Sequence, residues 1–211
     1  LGAAWDVTKE AFMEDQKIFD QFKVKGSYGS LGNQFTSIHY PTYPNYTTGS
    51  TAVFGETLVP AYILAYRNNP NLKWETVTSY EGGIEFTSLN NRVKVEANYF
   101  NKNTDDLLTF VNLGSEKFYT NAGKIENKGF EFAVNYRKTF GDWFVNVGVN
   151  GSALRNEVKE VGDPIFATEA SKVYEWDNHS IIKNGYAIGS FYGYRVKGIF
   201  QNQAEIDALN N

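Results

Sequence analysis

The 211-residue chain contains no cysteine, which excludes a disulfide framework and every form of thiolate chemistry. Its two histidines, His39 and His179, lie in loop-like stretches without metal-ligand spacing to carboxylates and read as ordinary solvated residues. Asp105 and Asp106 in "NTDDLL" are paired acids in sequence only, because adjacent residues on a strand point to opposite faces. No nucleophile–base arrangement and no phosphate-binding loop is present. The chain therefore offers no catalytic residue, metal site or cofactor site, and an enzyme is not expected. A net charge of -4 and a pI near 5.3 leave no basic stripe for nucleic acid. No apolar run approaches the ~18 residues of a helical membrane span. The mean hydropathy of -0.43 does not exclude a β-barrel, since half of each barrel strand faces water.

What the sequence has instead is aromatic residues and alternation. Aromatics make up 16% of the chain, with 14 Tyr and 16 Phe, which suits the girdles of a barrel or the binding face of a glycan-binding sandwich. "RVKVEANYF" sets Val93, Val95, Ala97 and Tyr99 against Arg92, Lys94, Glu96 and Asn98. A two-residue period puts the sets on opposite faces of a strand. The same period predicts five further strands. Leu1–Thr8 turns Leu1, Ala3, Trp5 and Val7 one way. Phe22–Gly29 sets Phe22, Val24 and Tyr28 against Lys23, Lys25 and Ser27. "TVTSYEGGIEF" sets Tyr80, Ile84 and Phe86 against Glu81 and Glu85. "KGFEFAVNYRK" sets Phe130, Phe132, Val134 and Tyr136 against Glu131, Asn135 and Arg137. "WFVNVGVNGSALRNEV" turns Trp143, Val145, Val147, Val149, Gly151 and Ala153 together. None is the continuous apolar run of a strand buried on both faces.

The connections have an order. "SLNNR" and "FGDWF" are tight turns, with Asn90 and Asn91 suited to positive φ in the first and Gly141-Asp142 at the second. Between strands two and three lie roughly forty residues, read as a long loop. "GSEKFYTNAGKIEN" forms a second long loop, and a tail runs from Gly162. In an antiparallel meander, alternating short and long connections put the long ones at one end, as in outer-membrane barrels. The fourth and sixth strands also continue past the ~9–11 residues that cross a bilayer. Glu81, Glu85, Glu96 and Glu131 share a face with Lys94 and Arg137 and are expected to form cross-strand ion pairs. Glycines within the strands are attributed to close packing or bends of a tilted wall.

Within the long loop Gln34–Asn69, Tyr43, Tyr46 and Tyr62 are candidate ligand-binding residues, since aromatic rings stack on sugar or peptide groups. The plainer reading is that the long loop folds on itself around these rings. "AEIDALNN" near the end reads as a short helix with Ile206 and Leu209 on one side.

Four phrases, in order, carry a family resemblance: "NPNLKWETV", "LNNRVKVEANYFNKNTDDLL", "NAGKIENKGFEFAVNYR" and "IGSFYGYRVKGIFQNQAEIDA", with "SYGSLGNQ" before them. They resemble the C-terminal part of the barrel of SusC/RagA-type TonB-dependent outer-membrane transporters of Bacteroidetes. The likeness runs from about Leu1 to the end, apart from Gln34–Ala65 and Gly162–Asn184. It implies an all-β fold, a segment of a large antiparallel transmembrane β-barrel of about 22 strands around a plug, with short periplasmic turns and long extracellular loops. Residues 1–211 would be part of the barrel domain, with the plug domain and remaining strands outside this chain. The opening "LGAAWDVTKE", already strand-like, fits such a fragment. By the same resemblance the whole protein imports oligosaccharides or peptides at the bacterial outer membrane. Its expected partners are a SusD-type surface lipoprotein, the TonB complex and the lipid bilayer. The alternative left open by composition is a secreted aromatic-rich β-sandwich that binds glycans.

Overall fold

The computed structural model describes residues 1–33, 38, 40–113, 116–162, 165–166, 180–196 and 198–209. Its centre is a single six-stranded antiparallel sheet in the order β1-β2-β5-β6-β7-β8. The strands are β1 (Gly2–Asp6), β2 (Phe19–Asn33), β5 (Glu75–Ser88), β6 (Val93–Leu113), β7 (Glu116–Phe140) and β8 (Trp143–Glu160). A two-stranded hairpin, β3 (Asn45–Phe54) and β4 (Thr57–Tyr66), is inserted between β2 and β5. After β8 come the short strands β9 (Ile165–Phe166), β10 (Ser180–Ile182) and β11 (Ser190–Phe191), which pair with one another, and then the helix α1 (Gln203–Leu209).

Each expected strand is present. The first is shorter than its reading: β1 ends at Asp6, and 3-10 turns at Val7–Lys9 and Ala11–Met13 follow. Both tight turns form as their residues require. Leu89, Asn90 and Asn91 take φ of 58, 58 and 57°, and Gly141 takes 57°. The helix stands where "AEIDALNN" places it, one residue earlier at its start.

Two readings need correction. The stretch Gln34–Asn69 is not one long loop: residues 45–66 form the β3–β4 hairpin, closed by Gly55 at φ 62°. Its register slips between Thr47 and Ser50, around Gly49 at φ 93°, and Pro60 sits within β4 opposite Thr51. A two-stranded ribbon has free edges, so it accommodates a proline that a central strand would reject. Nor is "GSEKFYTNAGKIEN" a long loop. From Glu116 onward it is β7, paired with β6 up to Leu113↔Glu116. Its alternation is broken by a register shift between Leu107↔Gly123 and Leu108↔Asn121, beside a bulge on β6 between Thr104 and Leu107, where Asp106 has φ 57°. One extra residue shifts the period and hides the strand. The turns 89–92 and 141–142 and the 7–18 connection still share one end of the sheet. The β3–β4 hairpin and the β6–β7 junction share the other.

Among the described residues the sheet has no second layer. On one face the register stacks Phe22, Phe86, Val95, Val134 and Val149, then Val24, Ile84, Ala97, Phe132 and Gly151. These side chains stand open: Tyr99 is 50% exposed, Val149 61% and Trp143 78%. The whole chain exposes 16209 Å², whereas a compact soluble protein of this mass exposes about 9,900 Å². The buried apolar side chains among the described residues are six: Val7, Tyr66, Tyr119, Val158, Val161 and Ile181. All lie off the apolar band. A sandwich would cover that band with a second sheet, and none covers it among the described residues.

Candidate functional site

The apolar face has a definite height. On β8 it runs from Trp143 through Val145, Val147, Val149 and Gly151 to Ala153, and Arg155 ends it. Eleven residues at about 3.4 Å each, tilted about 45°, span about 25 Å, the apolar height of an outer-membrane barrel. The band slides along the register from strand to strand. On β2 and β5 it extends from Phe22 and Phe86 up to Tyr28 and Tyr80, whose rings lie 5.1 Å apart. On β8 it sits lower, starting at Trp143 opposite Phe140. Strand tilt produces this slant.

The opposite face is an ion-paired wall. Lys25 Nζ lies 2.5 Å from Glu96 Oε1, Lys94 Nζ 3.0 Å from Glu85 Oε1 and Lys102 Nζ 3.9 Å from Glu81 Oε1. Lys25 and Glu96 are two strands apart. The residue between them in the register is Gly83, opposite both Lys25 and Asn98. A Cβ at Gly83 would collide with Asn98 Oδ1 and come within 2.8 Å of the Ala97 carbonyl oxygen. The bare backbone lets the lysine reach over β5. Such half-exposed pairs contribute about 0–1 kcal/mol each, so they make the wall wettable rather than rigid.

Three of the four expected carboxylates thus pair across strands. The fourth, Glu131, is exposed and takes part in no ion pair or hydrogen bond among the described residues. Arg137 is not its partner: its Nε donates to the Asn91 carbonyl oxygen at 3.0 Å. Glu131 borders a recess lined also by Lys25, Ser27, Glu81, Asn98, Phe100 and Lys102. Sequence alone does not match Lys25 and Lys102 to carboxylates, because pairing depends on register. The turn at "SLNNR" supplies the β5–β6 register for Lys102 and Glu81; alternation puts Lys25 on the correct face, but its height follows from the β2–β5 pairing.

The tyrosines of the inserted segment separate into two kinds. Tyr43 stands in a turn and is 68% exposed; Tyr46 on β3 and Tyr62 on β4 are 57% and 72% exposed. Tyr46 opposes Leu64, and alternation puts Tyr62 on the same side of the ribbon. Tyr66 is buried instead. Its ring packs 5.7 Å from Phe110 and 6.3 Å from Tyr119, on the extended ends of β6 and β7. Arg67 N donates to the Lys117 carbonyl at 2.7 Å, and Asn69 Nδ2 donates to Thr120 Oγ1 at 3.1 Å. The hairpin is therefore fastened at its base and bare along its length. His39 and His179 lie outside the described residues.

Comparison with known proteins adds a lineage to this geometry. Residues 1–203 match the family model described as TonB dependent receptor-like, beta-barrel. The chain is 34% identical over 205 residues to TonB-dependent receptor P3 of Formosa agariphila, covering 94% of this chain and 20% of that protein. It is 27% identical to TonB-dependent receptor SusC of Bacteroides thetaiotaomicron, covering 92% of this chain and 21% of that protein. Among solved structures, the RagAB peptide importer in its "open-open" state superposes with a TM-score of 0.69 at 21% identity, covering 88% of this chain and 20% of that one. That last likeness concerns the fold. The chain spans about a fifth of the length of the relatives it matches.

Proposed function

Because this chain belongs to the TonB-dependent receptor β-barrel family, we propose that it forms one stretch of wall, with its outer loops, in an outer-membrane importer of oligosaccharides or peptides. The observation that supports this most is the uncovered apolar band of about 25 Å, backed by an ion-paired face. In a bilayer this arrangement has one tolerable orientation. Lys or Arg turned toward hydrocarbon at the midplane would cost ~2–4 kcal/mol each. Val93, Val95, Ala97 and Tyr99 therefore face lipid, and Lys94, Glu96 and Asn98 face a wet lumen.

A plug domain and further strands, outside residues 1–211, complete the barrel. The TonB complex supplies the energy, and a SusD-type surface lipoprotein covers the mouth. Relatives of this chain are named as receptors rather than enzymes, and transport alters no covalent bond of its cargo. The direct share of this segment is to line the lumen and to offer Tyr43, Tyr46 and Tyr62 to cargo or lid.

The test is uptake by cells lacking this gene and complemented with it, in strains with and without functional TonB. Import of labelled oligosaccharide or peptide that depends on both supports the assignment. Import that persists without TonB contradicts it.

A further inference from the structure

Above the apolar band, the lipid-facing side of β7 and β8 changes character within one step. Phe130 opposes Ala153, and in the next outward position on that face Lys128 opposes Arg155. Like charges directly opposed across a sheet repel each other, so this row is unfavourable by itself. One step farther out two carboxylates, Glu126 and Glu157, also oppose each other. Lys128 Nζ lies 2.5 Å from Glu126 Oε1, and Arg155 Nη2 lies 3.4 Å from Glu157 Oε2. Lys159 Nζ sits 3.5 Å from Glu126 and 2.8 Å from Glu157. By height, two cations stand beside the hydrocarbon, two carboxylates beyond them and Lys159 outermost.

Ion pairing to Lys159 already favours this order, since exchanging the two rows would set Lys159 beside cations. An anionic headgroup favours the same order from the other side. It lies where the acyl chains end, which is the level of the Lys128–Arg155 row. Arg155 is the more available of the two, with a side chain 71% exposed and one long contact to Glu157. Most of its five N–H donors are left for an anion.

We propose that Lys128 and Arg155 together bind the phosphate of an anionic lipid headgroup in the leaflet at the loop end of the sheet. This rests on the membrane-wall reading above. The guanidinium presents a planar fork to two phosphate oxygens, and the Lys128 ammonium adds a point charge from the neighbouring strand. The bound phosphate also relieves the repulsion between the two cations.

The experiment uses the complete receptor in nanodiscs of phosphatidylcholine alone, or of phosphatidylcholine mixed with phosphatidic acid, and reads the melting temperature. The wild type is expected to melt several degrees higher with phosphatidic acid, and the increment to shrink with added salt. The double variant Lys128→Gln/Arg155→Gln should lose most of the increment. Arg155→Gln alone, at an exposed side chain, is the safeguard against misfolding and should lose at least half. Lys138→Gln, near the opposite rim, should retain it. An equal increment in the wild type and the double variant overturns the site. So does the same increment from inorganic phosphate in phosphatidylcholine discs, which would mean a free anion rather than a lipid. A receptor that cannot enter nanodiscs at all would overturn the membrane reading instead.

Discussion

Lys25 on β2 and Glu96 on β6 meet across an intervening strand, with Nζ 2.5 Å from Oε1, because Gly83 on β5 leaves the path between them open. A glycine in the middle of a strand ordinarily weakens it. Here its missing side chain makes room for Asn98 and for a lysine that crosses the wall.

Gly83→Val should therefore destabilise the wall by about 1–3 kcal/mol, the usual range for overpacking. Gly82→Ala, at a position where an added Cβ meets nothing within 4 Å, should be close to neutral. Thermal unfolding of the two variants in detergent checks this. Equal melting temperatures would count against a tight Gly83 site.

The outward ends of β7 and β8 should respond to acid. A hydrogen bond from Lys128 holds the Glu126 carboxyl below the usual glutamate range, and one from Lys159 does the same for Glu157. A lowered carboxylate contributes stability that is fully present above its unfolded value of about 4.3 and lost as pH falls through the lower folded value. Amide exchange protection at residues 124–128 and 155–160 should hold at neutral pH and drop below about pH 4. Glu126→Gln/Glu157→Gln should flatten that drop. An acid response unchanged in the double variant would exclude these pairs as its cause.

The sheet's alternation was legible wherever it ran unbroken. From Val145 to Ala153 every second residue states its face, and Gly141 marks where the strand begins. Legibility failed where the period shifts. The bulge at Asp106 throws Leu107 to Leu113 out of phase, and the shift between Asn121 and Gly123 makes β7 before Lys128 read as loop. Gly49 and Pro60 concealed the β3–β4 ribbon in a similar way. Ion-pair partners were half legible, since alternation assigns faces while register assigns neighbours. Nothing in sequence separated Tyr66 from Tyr62. The difference is that Tyr66 meets Phe110 and Tyr119, which are over forty residues away in the chain.

That difference is testable. Tyr43→Ala/Tyr46→Ala/Tyr62→Ala should reduce uptake of the true substrate while leaving the hairpin resistant to limited proteolysis. Tyr66→Ala should instead loosen the hairpin base, since losing a buried aromatic costs about 3–5 kcal/mol. Tyr66→Phe should be harmless, because the buried hydroxyl has no hydrogen-bond partner among the described residues. New cleavage in the triple variant with unchanged uptake would make those rings structural.

Topology gives another outcome. A cysteine at Thr47 should react with a membrane-impermeant thiol reagent on intact cells, and one at Asn91 should not. Labelling of Asn91 as strong as that of Thr47 would reverse the orientation.

The central claim is that one face of this sheet meets lipid and the other meets water. Spin labels placed singly from Trp143 to Glu160 in the reconstituted receptor, each probed with oxygen and with a water-soluble paramagnet, test it most directly. The account predicts oxygen contact at positions 143, 145, 147, 149, 151 and 153, water contact at 146, 148, 150 and 152, and water contact throughout from 155 outward. Water contact at Val147 and Val149 equal to that at Gly148 and Asn150 would contradict it.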